Sequence, residues 1–268
     1  MDALCFTVEI DENCFPSIKY LFQKLEENDI LYISNEYDCS YDNNECICYR
    51  FEFDDSSVSP VSALLAEIVK MDYLRIYANK IIDNNYFEIS GVDKSQIVSE
   101  LLKCVNTKTI ASRIYKFILE NMHIHLGGFV FFRMKDYLTD FEDEIDYAID
   151  EHIRRKKYRE FVEFLKFFVE IQDSEFDEIN VVIDRYGDYT LKDGNGNKIN
   201  KELLDSTHCE ISIMEDDNYI LLNDLVSLAP KHIVVHCSIE SELSRKTQAI
   251  IEIFGSKVDI CRECSICK

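Results

Sequence analysis

Tryptophan is absent from this chain, and proline (3) and glycine (7) are scarce among its 268 residues. So few chain breakers exclude a long flexible linker and any low-complexity or collagen-like architecture. Bases are also in short supply: 29 Lys and Arg face 51 Asp and Glu, for a net charge of -22. Such a field repels phosphates, so nucleic acid is not an expected partner unless a local basic patch overcomes it. Anionic lipid is disfavoured for the same reason. Long apolar runs are missing too. The longest, around Met122 to Phe132, is about half the ~20 residues that span a bilayer, and no membrane association is expected. The first residues, Met1-Asp2-Ala3-Leu4-Cys5-Phe6, lack the basic-then-apolar pattern of a secretory signal. These absences predict a soluble, cytoplasmic protein.

What is present is bulk and sulfur. Hydrophobic residues make up 47% of the chain, with 17 Phe and 15 Tyr to fill a core. There are 11 cysteines. The number is odd, and a chain this long has no need of disulfide staples, so reduced thiols are expected, some of them metal ligands.

The pattern predicts an α+β protein in three regions. Residues 1–55 read as a small βαββ unit. Ala3 to Ile10 alternates like a strand, Phe15, Ile18, Leu21, Phe22 and Leu25 recur at helical spacing, and Ile30–Ile33 and Cys46–Phe53 look like further strands around an Asp42-Asn43-Asn44 turn. Residues 56–175 are helical. Val61, Leu64, Leu65 and Ile68 set an apolar stripe that slips in phase before Tyr73, Ile76 and Tyr77. Ile110 to Met122 forms a later stripe, and Gly127-Gly128 breaks the pattern before the segment from Leu138 to Phe168. Residues 176–268 form a mixed α/β unit that ends in a βαβ and a Cys-rich tail.

Some motifs invite chemistry without supporting it. Arg154, Arg155, Lys156, Lys157 and Arg159 follow an acidic stretch. They could bind RNA or phosphate, but i,i+4 pairing with Asp150 and Glu151 on a solvated helix explains them more simply. Asp193-Gly194-Asn195-Gly196-Asn197 starts like a calcium loop, yet Lys198 and Leu204 stand where Gly and Glu are required. A tight turn is the better reading. His123 and His125 lack neighbouring ligands beyond Glu120, and Cys46 and Cys48, with Cys39 nearby, suit ordinary strand packing.

The tail is different. Cys261, Cys264 and Cys267 fall within the last eight residues as Cys-x-x-Cys-x-x-Cys. That spacing aims consecutive thiolates at one ion. His232 to Cys237 reads as a strand, Leu243 to Phe254 as a helix face, Gly255 as its C-cap and Lys257 to Cys261 as a second strand. Parallel strands end on the same side, so Cys237 or His236 should arrive beside Cys261 as the fourth ligand. Cys237 is the first choice and His236 the second. Zinc accepts either set. An iron–sulfur cluster uses similar spacing but continues to a fourth Cys and a Pro, and Cys261 with Cys264 also has the spacing of a redox pair.

Gly128 to Tyr137, Ile145 to Glu151, Tyr158 to Val162, Leu165 to Gln172, Leu228 to Lys231 and Ile253 to Gly255 together resemble the YtxC-like family, proteins associated with sporulation in spore-forming bacteria. The resemblance covers roughly residues 60–268. It implies a cytoplasmic role in sporulation and carries over no catalytic residue. The leading expectation is a non-enzymatic protein with a structural zinc knuckle and a protein partner. The alternatives are a metal-dependent or thiol-redox enzyme working at the C-terminal cysteines, and an RNA- or phosphate-binding module using Arg154 to Arg159. Oligomeric state is not legible.

Overall fold

The structure is a computed structural model that describes residues 5–11, 15–41, 44–174, 176–184, 186, 188–199, 217–236, 245–261 and 264. It divides into two compact units, Met1–Ile153 and Arg154–Lys268.

The first unit opens with strand β1 (Cys5–Asp11), helix α1 (Phe15–Glu27) and the hairpin β2 (Ile33–Tyr41) and β3 (Asn44–Asp54). This is the expected βαββ. β1 pairs antiparallel with β3, so that Phe6 meets Phe53, Val8 meets Phe51 and Ile10 meets Tyr49. These alternate residues are buried, along with Ile18, Leu21 and Leu25 of α1. Phe6 and Phe53 stack at 5.2 Å, and Phe22 and Tyr32 close on Phe51. Each buried large side chain contributes about 1.5–3 kcal/mol.

Two strand assignments needed correction. The segment Ile30–Ile33 is mostly the approach to β2, and Leu31 there is 80% exposed. β2 itself is Ile-Ser-Asn-Glu-Tyr-Asp-Cys-Ser-Tyr, a polar strand at the sheet edge. An edge strand needs only one partner, and its polar residues hide it from a search for apolar alternation. The second correction is β4 (His123–His125), which adds to β1 in parallel and completes the order β2-β3-β1-β4.

Helix α2 (Val58–Ile68) runs through a π-helical turn, Val69–Leu74, into α3 (Arg75–Asn85). The phase slip before Tyr73 is this turn: a π turn takes one residue more than an α turn. Helix α4 (Gly91–Cys104) is capped by Ser90, whose hydroxyl accepts from the Asp93 N–H, and α5 (Thr107–Asn121) by Asn106. Met122, at φ 53°, ends α5 in the left-handed conformation. The chain therefore breaks at Met122 to His125, and the Gly127-Gly128 pair is helical, in the short turn α6 (Leu126–Gly128) before a second π segment, Phe129–Arg133. His125 caps this turn: its Nδ1 accepts from the Gly128 N–H at 3.1 Å.

Helix α7 (Lys135–Ile171) carries the boundary between the units. Its Leu138, Phe141, Ile145 and Ile149 belong to the first core, and Phe161, Val162 and Leu165 to the second.

The second unit is built on strands β5 (Phe176–Ile183), β6 (Tyr189–Asp193), β7 (Pro230–His236) and β8 (Val258–Cys261), with helices α8 (Asp217–Leu228) and α9 (Arg245–Phe254). The sheet order is β6-β5-β7-β8. β7 and β8 run parallel around α9, which is the expected βαβ. Ile179, Val181, Ile233 and Val235 are buried with Leu221, Leu225, Ile250 and Phe254 of α8 and α9. α8 was not read from the sequence. Gly255, at φ 54°, closes α9 as the expected C-cap. The Asp193–Asn197 segment is a tight turn. The Asp193 carboxylate accepts from the N–H groups of Asn195 and Asn197, and Gly196 takes φ 85°.

Candidate metal centre

Strand alternation gives the second sheet two different faces. Residues 233 and 235 of β7 point to the core, so residues 232, 234 and 236 point the other way. The register brings His236 opposite Cys261, and His232 opposite Glu178. His236 is 4% exposed. Its Nδ1 lies 3.2 Å from the Cys264 Sγ, and one ligand atom each from His236, Cys261 and Cys264 lie within 4.8 Å of one another. Among the described residues this is the one group of three or more side chains placed to share a metal ion. Cys237 and Cys267 lie outside the described residues, so the second choice for the fourth ligand, His236, is the one seen beside Cys261.

Asn180 determines which imidazole nitrogen faces the sulfur. Its side-chain NH2 donates to the Asp193 carbonyl and to Glu178 Oε1, each at 3.2 Å. The amide oxygen therefore faces His236 Nε2, 2.7 Å away, and must accept a proton from it. A neutral imidazole carries only one N–H, so Nδ1 is the acceptor that faces the Cys264 sulfur. Burial pushes the His236 pKa down, Lys192 adds to the shift, and Glu178 opposes it. The ring is held neutral, as a metal ligand must be. A metal-bound histidine ordinarily donates its other nitrogen to a fixed acceptor, and Asn180 supplies that acceptor.

The donor set fits zinc. Zn–S and Zn–N bonds of about 2.3 and 2.0–2.1 Å put tetrahedral ligands roughly 3.3–3.8 Å apart. The 3.2 Å separation of His236 and Cys264 already lies near that range.

The polar chain continues across the sheet. Glu178 Oε2 stands 3.5 Å from His232 Nδ1, and His232 Nε2 stands 2.9 Å from Asp259. The hydrogen bond that His232 donates to the Asp259 carboxylate raises the His232 pKa against the pull of partial burial, with Glu178 assisting. Asp259, His232, Glu178 and Asn180 thus form a line of side chains leading to His236. Periodicity placed His236 and Cys261 but gave no sign of Asn180, which reads as an ordinary polar residue in β5. Only the pairing of β5 with β7 reveals it.

The other cysteine and histidine motifs form no ligand cluster among the described residues. Cys48 is buried, and Cys39 and Cys46 are cross-strand backbone partners whose side chains lie outside the described residues. His123 Nδ1 contacts the Thr7 hydroxyl at 2.6 Å, and its Nε2 is 3.8 Å from Glu9. Glu9 is chelated by Arg50 Nε at 2.9 Å and Nη2 at 2.5 Å. Burial draws the Glu9 carboxyl upward, but the hydrogen bonds and charge of Arg50 outweigh it and hold Glu9 below the usual range. Burial, then the charge of Glu9, pushes Tyr37 up to about 12. No helix among the described residues is long and apolar enough to cross a membrane.

The profile of the YtxC-like family matches residues 59–259. The chain is also similar to a protein of Bacillus subtilis (strain 168) named uncharacterized protein YtxC, at 23% identity over 163 residues, which is 60% of this chain and 56% of that protein. The aligned region thus spans little more than half of that relative. No solved structure matches.

Proposed function

The chain belongs to the YtxC-like family, and from that premise we propose that it is a sporulation-associated cytoplasmic protein whose second unit is closed by one structural zinc ion. His236, Cys261 and Cys264 hold the ion, and Cys267 or Cys237 completes the tetrahedron. The protein works by binding a protein partner and not by catalysis. The observation that carries the metal is the cluster itself, in which His236 Nδ1 lies 3.2 Å from the Cys264 Sγ and Cys261 joins them within 4.8 Å. A closed four-ligand site leaves zinc no position for a water, so hydrolysis is not expected of it. The sporulation role rests on the family resemblance, and the cytoplasmic location on the odd complement of 11 cysteines.

Elemental analysis of protein purified under reducing conditions tests this reading. About one zinc per chain is expected, the count for a single tetrahedral site, with loss of the metal in Cys264→Ser. Metal-free protein of unchanged stability would sink it. The contact between His236 and Cys264 favours one second reading, a thiol-redox site. That reading predicts metal-free protein in which Cys264 reacts with iodoacetamide faster than Cys104, an exposed thiol outside the site.

A further inference from the structure

The first unit holds an open cleft of about 450 Å³ between the π-helical turn, α3 and α4. Lys70, Arg75 and Lys103 line it with Asn79, Ser95 and Ser99, and no carboxylate does. That composition is unusual in a chain with 51 acids and 29 bases. Three lysines elsewhere pair with acids, Lys24 with Glu27, Lys94 with Asp83 and Lys231 with Asp177. Lys70 and Lys103 make no ion pair among the described residues.

Arg75 is held in place from behind. One of its terminal nitrogens meets the Asp72 carboxylate at 3.1 Å. Asp72 is 2% exposed, and its other oxygen has no hydrogen-bond partner among the described residues. A buried carboxylate left half-satisfied is a stability cost, as is the π turn that carries it. Both are spent on the backbone between Lys70 and Arg75.

We propose that this cleft binds a small soluble molecule through its phosphate group. Lys70 and Lys103, with the guanidinium of Arg75 that Asp72 holds from behind, suit a doubly charged phosphate better than a single carboxylate, and the Ser99 hydroxyl and the second N–H of the Asn79 amide, whose first donates to the Arg75 carbonyl, add neutral donors for its remaining oxygens. The volume lies toward the small end of ligand pockets. A polyanion such as RNA would meet the full net charge of -22, whereas a small ester meets only the local field.

Thermal unfolding and calorimetric titration test the cleft, with inorganic phosphate and glycerol 3-phosphate as probes against potassium chloride of matched ionic strength. Either phosphate probe should raise the unfolding midpoint with concentration, beyond chloride. The pair Lys70→Gln and Lys103→Gln should weaken binding by at least about tenfold, the loss of charge-assisted hydrogen bonds. Lys80→Gln, exposed on α3 and outside the cleft, should bind like the wild type. If the paired variant does not fold, Lys103→Glu alone, at an exposed position, reads the same loss. No rise beyond chloride, an equal rise in the lysine variants, or binding of single-stranded RNA without binding of either phosphate probe overturns the proposal.

Discussion

Asn180 is the residue on which the geometry of the candidate metal centre turns. It touches no proposed ligand atom, yet it fixes the proton on His236 Nε2. Asn180→Leu should leave the sheet paired but free the ring to turn or to change tautomer. Zinc affinity measured by competition with a chelator should fall about 10–100-fold, the usual effect of losing such a partner. Unchanged affinity would mean that β7 alone orients the ring. Arg50 plays a comparable part in the first unit. Arg50→Gln strips Glu9 of its strongest partner and should lower the midpoint of denaturant unfolding, by less than the loss of a fully buried pair because Arg50 is half exposed. The Glu9 carboxyl is depressed, so its contribution is present above the ordinary 4.5 and lost as pH falls through the lowered value. The variant should therefore lose less stability than the wild type when both are acidified.

Among the elements, β8 and α9 are the ones the proposed zinc ion would hold most directly. β8 is a four-residue edge strand with a mixed, half-buried pattern. Chelation should raise amide hydrogen exchange in β8 and α9 while leaving β1 and β3 protected, because their core contains none of the ligands. Uniform loosening of both units would contradict this. Gly255→Ala should cost about 1 kcal/mol, because the left-handed φ of 54° penalises a Cβ even where space is open. The elements also show what a sequence makes visible. β1, α1, β3 and the terminal βαβ were legible because their apolar residues keep one period. The π turn was legible as a slip in that period. The edge strand β2 was misplaced because its residues are polar, and β4 was missed because three residues are too few to establish alternation. At the site, cysteine spacing marked Cys261 and Cys264, which the structure brings together with His236, but Asn180 and the Glu178–His232–Asp259 line depend on pairings between strands far apart in the chain.

For the whole molecule, two separate cores imply two separable stabilities. Phe141 is 1% exposed in the first core and Ile250 is fully buried in the second. Phe141→Ala should cost about 3–5 kcal/mol and Ile250→Ala about 2–5, each read in the hydrogen exchange of its own unit. The response to alkali should sit in the second unit. His232 has a raised pKa, so its pairing with Asp259 and Glu178 stabilises fully below the ordinary 6.5 and is lost as pH rises through the higher folded value. The decline of the second unit's midpoint across that window should be shallower in His232→Gln. Net charge acts on both units together. At -22 the chain repels itself, so moderate sodium chloride should raise stability by screening.

Strand β7 has a further consequence for how this protein can change. Its odd-numbered residues Ile233 and Val235 are buried in the core, and its even-numbered His232 and His236 lie on the opposite face, at the candidate site. The two sets are interleaved and face opposite sides of the sheet. Substitutions in one set should combine additively with substitutions in the other, so the core can drift without disturbing the ligands and the ligands can be exchanged without disturbing the core. Insertions have no such freedom. One added residue within β7 would swap the two sets, turning imidazoles inward and isoleucine toward the sulfurs. This seven-residue strand should tolerate many replacements and almost no change of length.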